Sequence, residues 1–381
     1  MTKCIEDVTF RSISMDGGGL YGLATAIMLG KLCRGDCRFL SDDPKYKVSM
    51  FTGTSAGALN ALLLGTTDNP RQFILDGGLE KFWRNGWDIF ANKNPVTATL
   101  SWFGLTAWLG SQDFLNYLHR YFGDRTLESL PGNVMVCTFD WYGNASDSSD
   151  SRMWTPRIFT NLSVGTDDDP GTYGHHYKIK DIAYGAASPP PYRATINGLG
   201  DATIVANNPS MMTYSFIKSH FPAAPQAILS VGMCLKNPSY GFEAFNFGAL
   251  PFCTLPTNLC QENFCAPPLQ VWVTGVSETA SLNAKQILGP FYHRLNPPVL
   301  GPPNPSPNSA IQMCLARFLP WFQWLLNAID QATATPVANE AARTTLAFLD
   351  SVWWSKGEAE HWSEDKTAMS LSCLENESEE A

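Results

Sequence analysis

The sequence predicts an α/β protein with three layers, in which helices cover both faces of a mainly parallel sheet and extra helices follow near the C-terminal end. Two observations support this fold class. Short runs rich in β-branched and apolar residues alternate with longer apolar runs of helical period. The first two predicted strands also each end at a glycine-containing turn that leads into a predicted helix.

The N-terminal part carries the clearest alternation. Residues 8–15 predict a strand, and residues 23–33 a helix. Residues 47–52 predict a second strand, and residues 56–64 a strongly apolar helix. This strand–helix–strand–helix order is typical of a βαβ unit, whose two strands are parallel.

The remaining chain predicts more elements of both kinds. Further strands are predicted at 133–139, 157–164, 202–206 and 226–232, and further helices at 79–90, 178–187, 268–288, 309–330 and 336–354. Residues 295–307 hold six prolines and predict an extended connector. We expect one domain over residues 1–354, with its main motifs in 8–232 and a helical part from about 300 to 354. The acidic segment 355–381 is expected to be a flexible tail.

Charge and hydropathy exclude several classes of protein. The net charge is −9 with a pI near 5.2, and no run of Lys and Arg could form a nucleic-acid-binding face. No apolar stretch reaches about eighteen residues, which argues against a membrane-spanning helix. The first ten residues lack the apolar region of a signal peptide. We therefore expect a cytoplasmic protein, or one peripheral at membranes.

The ten cysteines show no zinc-binding spacing, and we expect reduced thiols. Residues 167–169 are three consecutive aspartates, but they lack the ligand spacing of a calcium-binding EF-hand loop. The expectation is therefore no metal and no cofactor, with any activity persisting in a chelator.

The first candidate motif is a G-x-S-x-G pentapeptide between a predicted strand and an apolar helix. It consists of Gly53, Thr54, Ser55, Ala56 and Gly57. This context suits a nucleophile elbow, a tight turn that exposes a serine hydroxyl. The two glycines would let the strand and helix approach closely. The free N–H groups at the start of the helix could stabilise developing negative charge near Ser55.

The second motif is a run of three glycines, Gly17, Gly18 and Gly19, directly after the first predicted strand and Asp16. Such a loop can cradle a phosphate, but the spacing of a dinucleotide fingerprint and the G-K-[ST] of a nucleotide P-loop are both missing. Consecutive glycines can instead turn several N–H groups toward one oxygen, so we favour an oxyanion hole.

The third motif begins at Asp201 and ends in Asn207-Asn208-Pro209. Together and in this order, the three motifs resemble the patatin-like phospholipase family, which carries D-G-G-G-x-x-G, then G-x-S-x-G, then an aspartate followed by an N-N-P type of turn. The similarity runs from about residue 8 to 232, and more weakly through 292–297.

The resemblance implies a three-layer patatin-like fold and a catalytic dyad. Ser55 would be the nucleophile and Asp201 the base that takes its proton, in a water-poor site that raises the carboxyl pKa. The substrate would be a membrane lipid or another acyl-lipid, cleaved through an acyl-serine intermediate as in phospholipase A or lysophospholipase. The six histidines lie in no triad-like context, so no catalytic histidine is expected.

Two positions depart from the family pattern. Tyr21 stands where the family often has an arginine in the glycine loop. An arginine at that position could brace the loop or contact the phosphate of a lipid headgroup. Ala202 and Thr203 stand in place of D-G-G or D-G-A. If the first of these positions needs a positive φ, Ala202 would strain the turn and displace Asp201, with reduced activity.

Three alternatives remain open at this stage. The chain could be a carboxylesterase or thioesterase for soluble acyl groups, or a weakly active or non-catalytic protein that binds lipids or partners. It could also require an unknown activator bound within 237–381.

The aromatic segment 82–109 has two possible roles. It is either part of the core or, together with the loop 242–252, the route by which lipid enters from a membrane.

Overall fold

The computed structural model describes residues 8–43, 46–91, 93–94, 96, 105–107, 109–141, 154–162, 177–190, 192–234, 267–299, 319–354 and 367–368. Eight strands lie in these ranges: β1 Val8–Met15, β2 Met50–Thr54, β3 Val134–Asp140, β4 Thr155–Thr160, β5 Leu199–Asp201, β6 Gln226–Val231, β7 Tyr292–Leu295 and β8 Thr367–Ala368.

The helices outnumber the strands in the described part of the chain. They are α1 Gly22–Gly35, α2 Ala56–Gly65, α3 Pro70–Leu75, α4 Gly78–Arg84, α5 Trp87–Phe90, α6 Ser111–Phe122, α7 Ile179–Ala186, α8 Thr203–Ala206, α9 Ser210–His220, α10 Pro267–Leu288, α11 Leu319–Thr333 and α12 Pro336–Phe348. A π-helical turn, Leu349–Trp353, extends α12, and short 3-10 turns cover Gly19–Tyr21, Leu127–Ser129 and Gly289–Phe291.

The strands form one sheet in the order β4-β3-β2-β1-β6-β7. Neighbours from β3 through β7 are parallel, whereas β4 and β5 both run antiparallel to β3. The short strand β8 pairs with the first residues of β1. The predicted mainly parallel α/β sheet is therefore confirmed, and the turns that follow β1 and β2 lie at the same edge of the sheet.

Helices cover both faces of this sheet. On one face, side chains of β1 such as Ile13 and Met15 share a core with α1, α2, α7, α11 and α12. On the other face, Phe10 packs with side chains of α9, and Ile228 packs with α10. The C-terminal helices are tied to the sheet by Arg11, whose Nε donates to the carbonyl oxygen of Trp353 at 2.8 Å.

Several elements differ from the sequence-based predictions. Residues 79–90 form two helices, α4 and α5, because the chain turns at Asn85 and Gly86. Residues 202–206, predicted as a strand, form the helical turn α8 after the very short strand β5. The strands β5, β7 and β8 and the helices α3 and α9 were not predicted.

The structure describes most of the first half of the aromatic segment 82–109. Phe82, Trp83 and Phe90 are buried, and the indole N–H of Trp83 donates to Asn60 Oδ1 at 2.8 Å. These side chains are therefore core, and the idea that they form a lipid entry face is wrong. Trp102, Phe103 and Trp108 lie outside the described residues, as does the loop 242–252.

Three other predictions can be compared only with the described residues. The connector after 299 and most of the acidic segment lie outside the described residues. Within the described ranges, no helix is long and apolar enough to cross a membrane. The same ranges contain four free cysteines and no cluster of three potential metal-binding side chains.

Candidate active site

Sheet register brings Ser55 and Asp201 together. Along β3, Cys137 pairs with Thr54 of β2, and the next residue, Thr138, pairs with Asp201 of β5. The other edge of β3 is occupied by β4, so β5 must approach along the edge that β2 uses. The two strands run in opposite directions and end beside each other. The residue after β2 and the last residue of β5 therefore meet, although 146 positions separate them.

Ser55 lies in a strained turn between β2 and α2. Its backbone has φ 53° and ψ −121°, a conformation that costs a residue with a side chain about 1–3 kcal/mol. The flanking glycines make the turn possible. A methyl group on Gly53 would lie 2.1 Å from the carbonyl carbon of Gly57, and one on Gly57 would lie 2.0 Å from the carbonyl oxygen of Met15. Ser55 makes no side-chain capping hydrogen bond to α2, so the first N–H groups of that helix are left without a partner from this side chain.

The Asp201 carboxyl group is buried, with 1% of the residue exposed. Thr203 donates to Oδ1 twice, through its backbone N–H at 2.9 Å and its hydroxyl at 2.5 Å. The nearby Ser55 side chain lowers the pKa of this carboxyl group, while Oδ2 has no partner in normal hydrogen-bond geometry among the described residues. Catalytic hydrogen bonds are often long or poorly aligned in active sites without substrate. Oδ2 is therefore the carboxyl oxygen that is free to accept the proton of the Ser55 hydroxyl.

Burial sets the acidity of this carboxyl group. Loss of solvation raises the pKa of Asp201 to about 6, and this effect outweighs the nearby Ser55 hydroxyl, the hydrogen bonds from Thr203 and the charge of Arg193, which all lower it. A carboxylate with such a pKa is a stronger base than an exposed one, and it is still ionised at neutral pH.

The departure at Ala202 and Thr203 does not strain the turn. Ala202 has φ −81° and ψ 6°, which any residue adopts, and the positive φ values fall earlier, at Asn197 and Gly198. The expectation of strain is therefore wrong. Thr203 adds the hydroxyl donor to Asp201 Oδ1, so the substitution fixes the carboxyl group instead of displacing it.

The glycine loop packs directly against the serine. A methyl group on Gly17 would lie 2.8 Å from Ser55 Cβ, and one on Gly18 would lie 1.2 Å from the sulfur of Met233. The N–H of Gly17 donates to the carbonyl oxygen of Asn207 at 3.0 Å. This engagement leaves the N–H groups of Gly18 and Gly19 as the donors of the loop that a substrate oxygen could use.

An ion pair that the sequence did not predict holds the start of this loop. Arg294 on β7 donates from both terminal nitrogens to the two oxygens of Asp16, at 2.7 and 2.5 Å, and also to Ser230 Oγ at 2.8 Å. Burial works against the charge of Arg294, but the Asp16 carboxylate holds its pKa above the usual value. Position 21 lacks the arginine that the family often has, and Arg294 from a distant strand instead contacts the start of the loop at Asp16.

The histidines in the described ranges lie away from the serine. His119 is near Lys180, His220 contacts its own helix at the carbonyl oxygen of Phe216, and His293 contacts Thr345. Burial lowers the pKa of His293 to about 4, so this ring is neutral at physiological pH. None of these three rings contacts Ser55 or Asp201. His175, His176 and His361 lie outside the described residues.

Sequence comparison agrees with this fold. A model of the patatin-like phospholipase family matches residues 13–213, a region that contains all three motifs. The chain therefore belongs to the patatin-like phospholipase family.

Two relatives are bacterial proteins of modest similarity. The "Putative sporulation hydrolase CotR" of Bacillus subtilis (strain 168) is 26% identical over 231 residues, covering 58% of this chain and 62% of that protein. "Protein teg" of Priestia megaterium is 23% identical over 310 residues, covering 76% of this chain and 87% of that protein. The chain thus spans less than two thirds of the length of the first relative.

The burial of Asp201 predicts an effect on stability. Because its pKa in the folded protein is above that of an exposed carboxyl, stability should fall as the pH rises from about 4 to about 6, and the full penalty of the ionised group should persist at higher pH. Asp201→Asn should therefore increase the free energy of unfolding at pH 8 by roughly 1–3 kcal/mol. The gain should disappear below about pH 4, where aspartate is protonated in both states. Urea denaturation at both pH values measures this difference, and a loss of stability confined to pH 8 would contradict it.

Proposed function

We propose that this protein is a serine acyl hydrolase of the phospholipase A or lysophospholipase type, which cleaves carboxylic esters of lipids with Ser55 as nucleophile and Asp201 as base. One observation carries the proposal. Ser55, held in an elbow with positive φ, lies close enough to the buried Asp201 carboxyl group to lower its pKa, and Oδ2 of that group has no hydrogen-bond partner among the described residues.

The reaction would begin with formation of an acyl-enzyme. Asp201 takes the proton of the Ser55 hydroxyl as Oγ attacks the ester carbonyl carbon. The carbonyl oxygen becomes negatively charged and receives hydrogen bonds from the N–H groups of Gly18 and Gly19 and from the start of α2. The leaving alcohol then takes the proton from Asp201. Water hydrolyses the acyl-serine by the same route, which releases a fatty acid and regenerates the hydroxyl.

An apolar cleft supports a lipid as substrate. It has a volume of about 480 Å³ and lies between α8, α9 and α10, next to the segment that carries Asn207. Its lining includes Val205, Met211, Met212, Trp272 and Val276, and Trp272 is 61% exposed. Apolar and aromatic side chains around an open cleft are typical of sites that bind apolar ligands. We propose that the protein acts at a membrane surface or on dispersed acyl-lipid.

Lipid mass spectrometry tests the substrate class. Lipid extracts incubated with the wild type should lose phospholipid or lysophospholipid and gain free fatty acid, whereas extracts incubated with Ser55→Ala should not. Short-chain soluble esters and acyl thioesters serve as the comparison. If only these are cleaved, the protein is a soluble carboxylesterase or thioesterase, and the lipid assignment is wrong.

The pKa of Asp201 predicts the pH dependence of the reaction. Only the ionised carboxylate can take the serine proton, so kcat/KM should fall tenfold for each pH unit below about 6 and reach a plateau above it. The measurement needs an uncharged ester, so that only the free enzyme titrates. A profile that stays flat down to pH 4.5 would mean that the base is an exposed carboxylate, or that the titrating group lies elsewhere.

A further inference from the structure

The side chain of Asn207 has a fixed orientation beside the candidate site. The residue is 2% exposed, and its Nδ2 donates to Ser277 Oγ on α10 at 2.9 Å. The Ser277 hydroxyl has a single proton, which it donates to the carbonyl oxygen of Val273 at 2.9 Å. Ser277 can therefore only accept from Asn207. This chain of donors places Nδ2 toward α10 and Oδ1 on the opposite side of the amide.

Oδ1 of Asn207 points into the site. A methyl group on Gly17 would lie 2.6 Å from this oxygen, 2.8 Å from Ser55 Cβ and 3.1 Å from Thr203 Oγ1. The oxygen is thus adjacent to the nucleophile and to the threonine that holds Asp201. It is buried, and within the described residues no group donates a hydrogen bond to it. Buried acceptors in folded proteins almost always have a donor, so an acceptor left open beside a nucleophile indicates a ligand.

Two such acceptors occur together here. Asp201 Oδ2 is the other buried oxygen of this site with no hydrogen-bond partner in the described part of the chain. The Ser55 hydroxyl has one proton and needs only one of the two acceptors. A water molecule has two protons and can satisfy both.

We propose that Asn207 is a catalytic residue of the second half-reaction, in which its Oδ1 accepts a hydrogen bond from the water that hydrolyses the acyl-Ser55 intermediate. This inference rests on the proposed function. The two acceptors orient one water, with one O–H directed to Asp201 and the other to Asn207. Orientation of this kind lowers the barrier to attack because the water is held in place before it reacts.

The step is balanced without any further reactant. The water oxygen forms a bond to the acyl carbon while Asp201 Oδ2 takes one water proton. The second O–H stays intact, hydrogen-bonded to Asn207 Oδ1, and becomes the hydroxyl of the product acid. When the tetrahedral intermediate collapses, the bond from carbon to Ser55 Oγ breaks, and Oγ takes the proton back from Asp201.

Competition between water and methanol tests this role. Methanol has a single O–H, which goes to Asp201, so it gains nothing from Asn207. The acyl-enzyme is formed from a short-chain p-nitrophenyl ester in buffer with methanol, and the ratio of methyl ester to free acid is measured. In Asn207→Leu this ratio should rise roughly tenfold, the size expected for one lost hydrogen bond. Release of p-nitrophenol in the first turnover should change much less.

Three further variants make the result specific. Asn207→Ala removes the same acceptor with a smaller side chain, should Leu prevent folding, and it should raise the ratio in the same direction. Asn207→Asp keeps an acceptor and should retain a ratio close to that of the wild type. Ser277→Ala removes the contact to α10 but leaves Oδ1, so its ratio should stay within about twofold of the wild type.

The outcomes separate this inference from the proposed function. If Asn207→Leu and Asn207→Ala lower hydrolysis and methanolysis equally, the side chain only supports the loop, and the inference is wrong. If Ser277→Ala raises the ratio as much as Asn207→Leu, packing against α10 explains the effect, and the inference is again wrong. If the wild type itself releases no p-nitrophenol, the proposed function fails, and this inference fails with it.

Discussion

Ser55→Ala and Asp201→Asn are each expected to lower kcat by a factor on the order of 10⁴ or more, while the protein stays folded. In the proposed mechanism Ser55 forms the acyl bond, and the buried Asp201 carboxylate near it accepts the proton. Nucleophile and base act as one unit, so removing either loses most of the rate, and the double variant should be no worse than the more impaired single one.

A buried serine outside the site gives the matched control. Ser12 lies on β1, is fully buried, and has a hydroxyl with no partner in the described residues. Ser12→Ala makes the same chemical change as Ser55→Ala in a similar environment, so its kcat should stay within a few-fold of the wild type. If Asp201→Asn keeps most of the wild-type rate, Asp201 is not the base, and a histidine outside the described residues becomes the candidate.

The second large effect is expected for Arg294. Arg294→Met leaves the buried Asp16 carboxylate without its partner, and the loss of one partner of a buried pair costs about 3–5 kcal/mol. The free energy of unfolding, measured in urea at pH 7.5, should fall by about that amount. Activity should fall as well, because Asp16 begins the glycine loop.

The double variant Asp16→Asn with Arg294→Met separates charge from packing. It removes both buried charges, so it should recover at least about half of the stability lost in Arg294→Met. The exposed pair of Arg343 and Glu340 provides a comparison, because Arg343→Met should change stability by less than about 1 kcal/mol. If Arg294→Met is as stable as the wild type, the ion pair does not hold the loop.

The sequence predicted correctly the elements that depend on contacts between residues close together in the chain. The strand β1, the turn after β2 and the apolar helix α2 all follow from patterns within about fifteen residues, and they match the structure closely. The same holds for Ser55 as the elbow residue, because the glycines on both sides serve close backbone contacts that no other residue permits.

The segment after Asp201 shows how one side chain overrides propensity. Thr203, Ile204 and Val205 are β-branched and favour a strand. In the structure, Asp201 Oδ1 accepts the N–H of Thr203 and thereby starts a helical turn. An aspartate before a β-branched run was the available signal, but propensity alone pointed to the wrong element.

Contacts between distant segments could not be read from the sequence. Asp16 and Arg294 are 278 residues apart, and only the sheet order β1-β6-β7 brings them together. The role of Asn207 likewise depends on α10, whose Ser277 fixes the amide. The N-N-P turn identified the segment but gave no reason to distinguish its first asparagine from its second.

The most direct test of the account is to locate the covalent adduct of a fluorophosphonate probe. The probe reacts with an activated serine, and peptide mass spectrometry then identifies the labelled residue. We expect one adduct, on Ser55, with labelling absent in Ser55→Ala, greatly slowed in Asp201→Asn and unchanged in Ser12→Ala. Absence of labelling in the folded wild type, or an adduct on another residue that persists in Ser55→Ala, would contradict the assignment of Ser55 as the nucleophile.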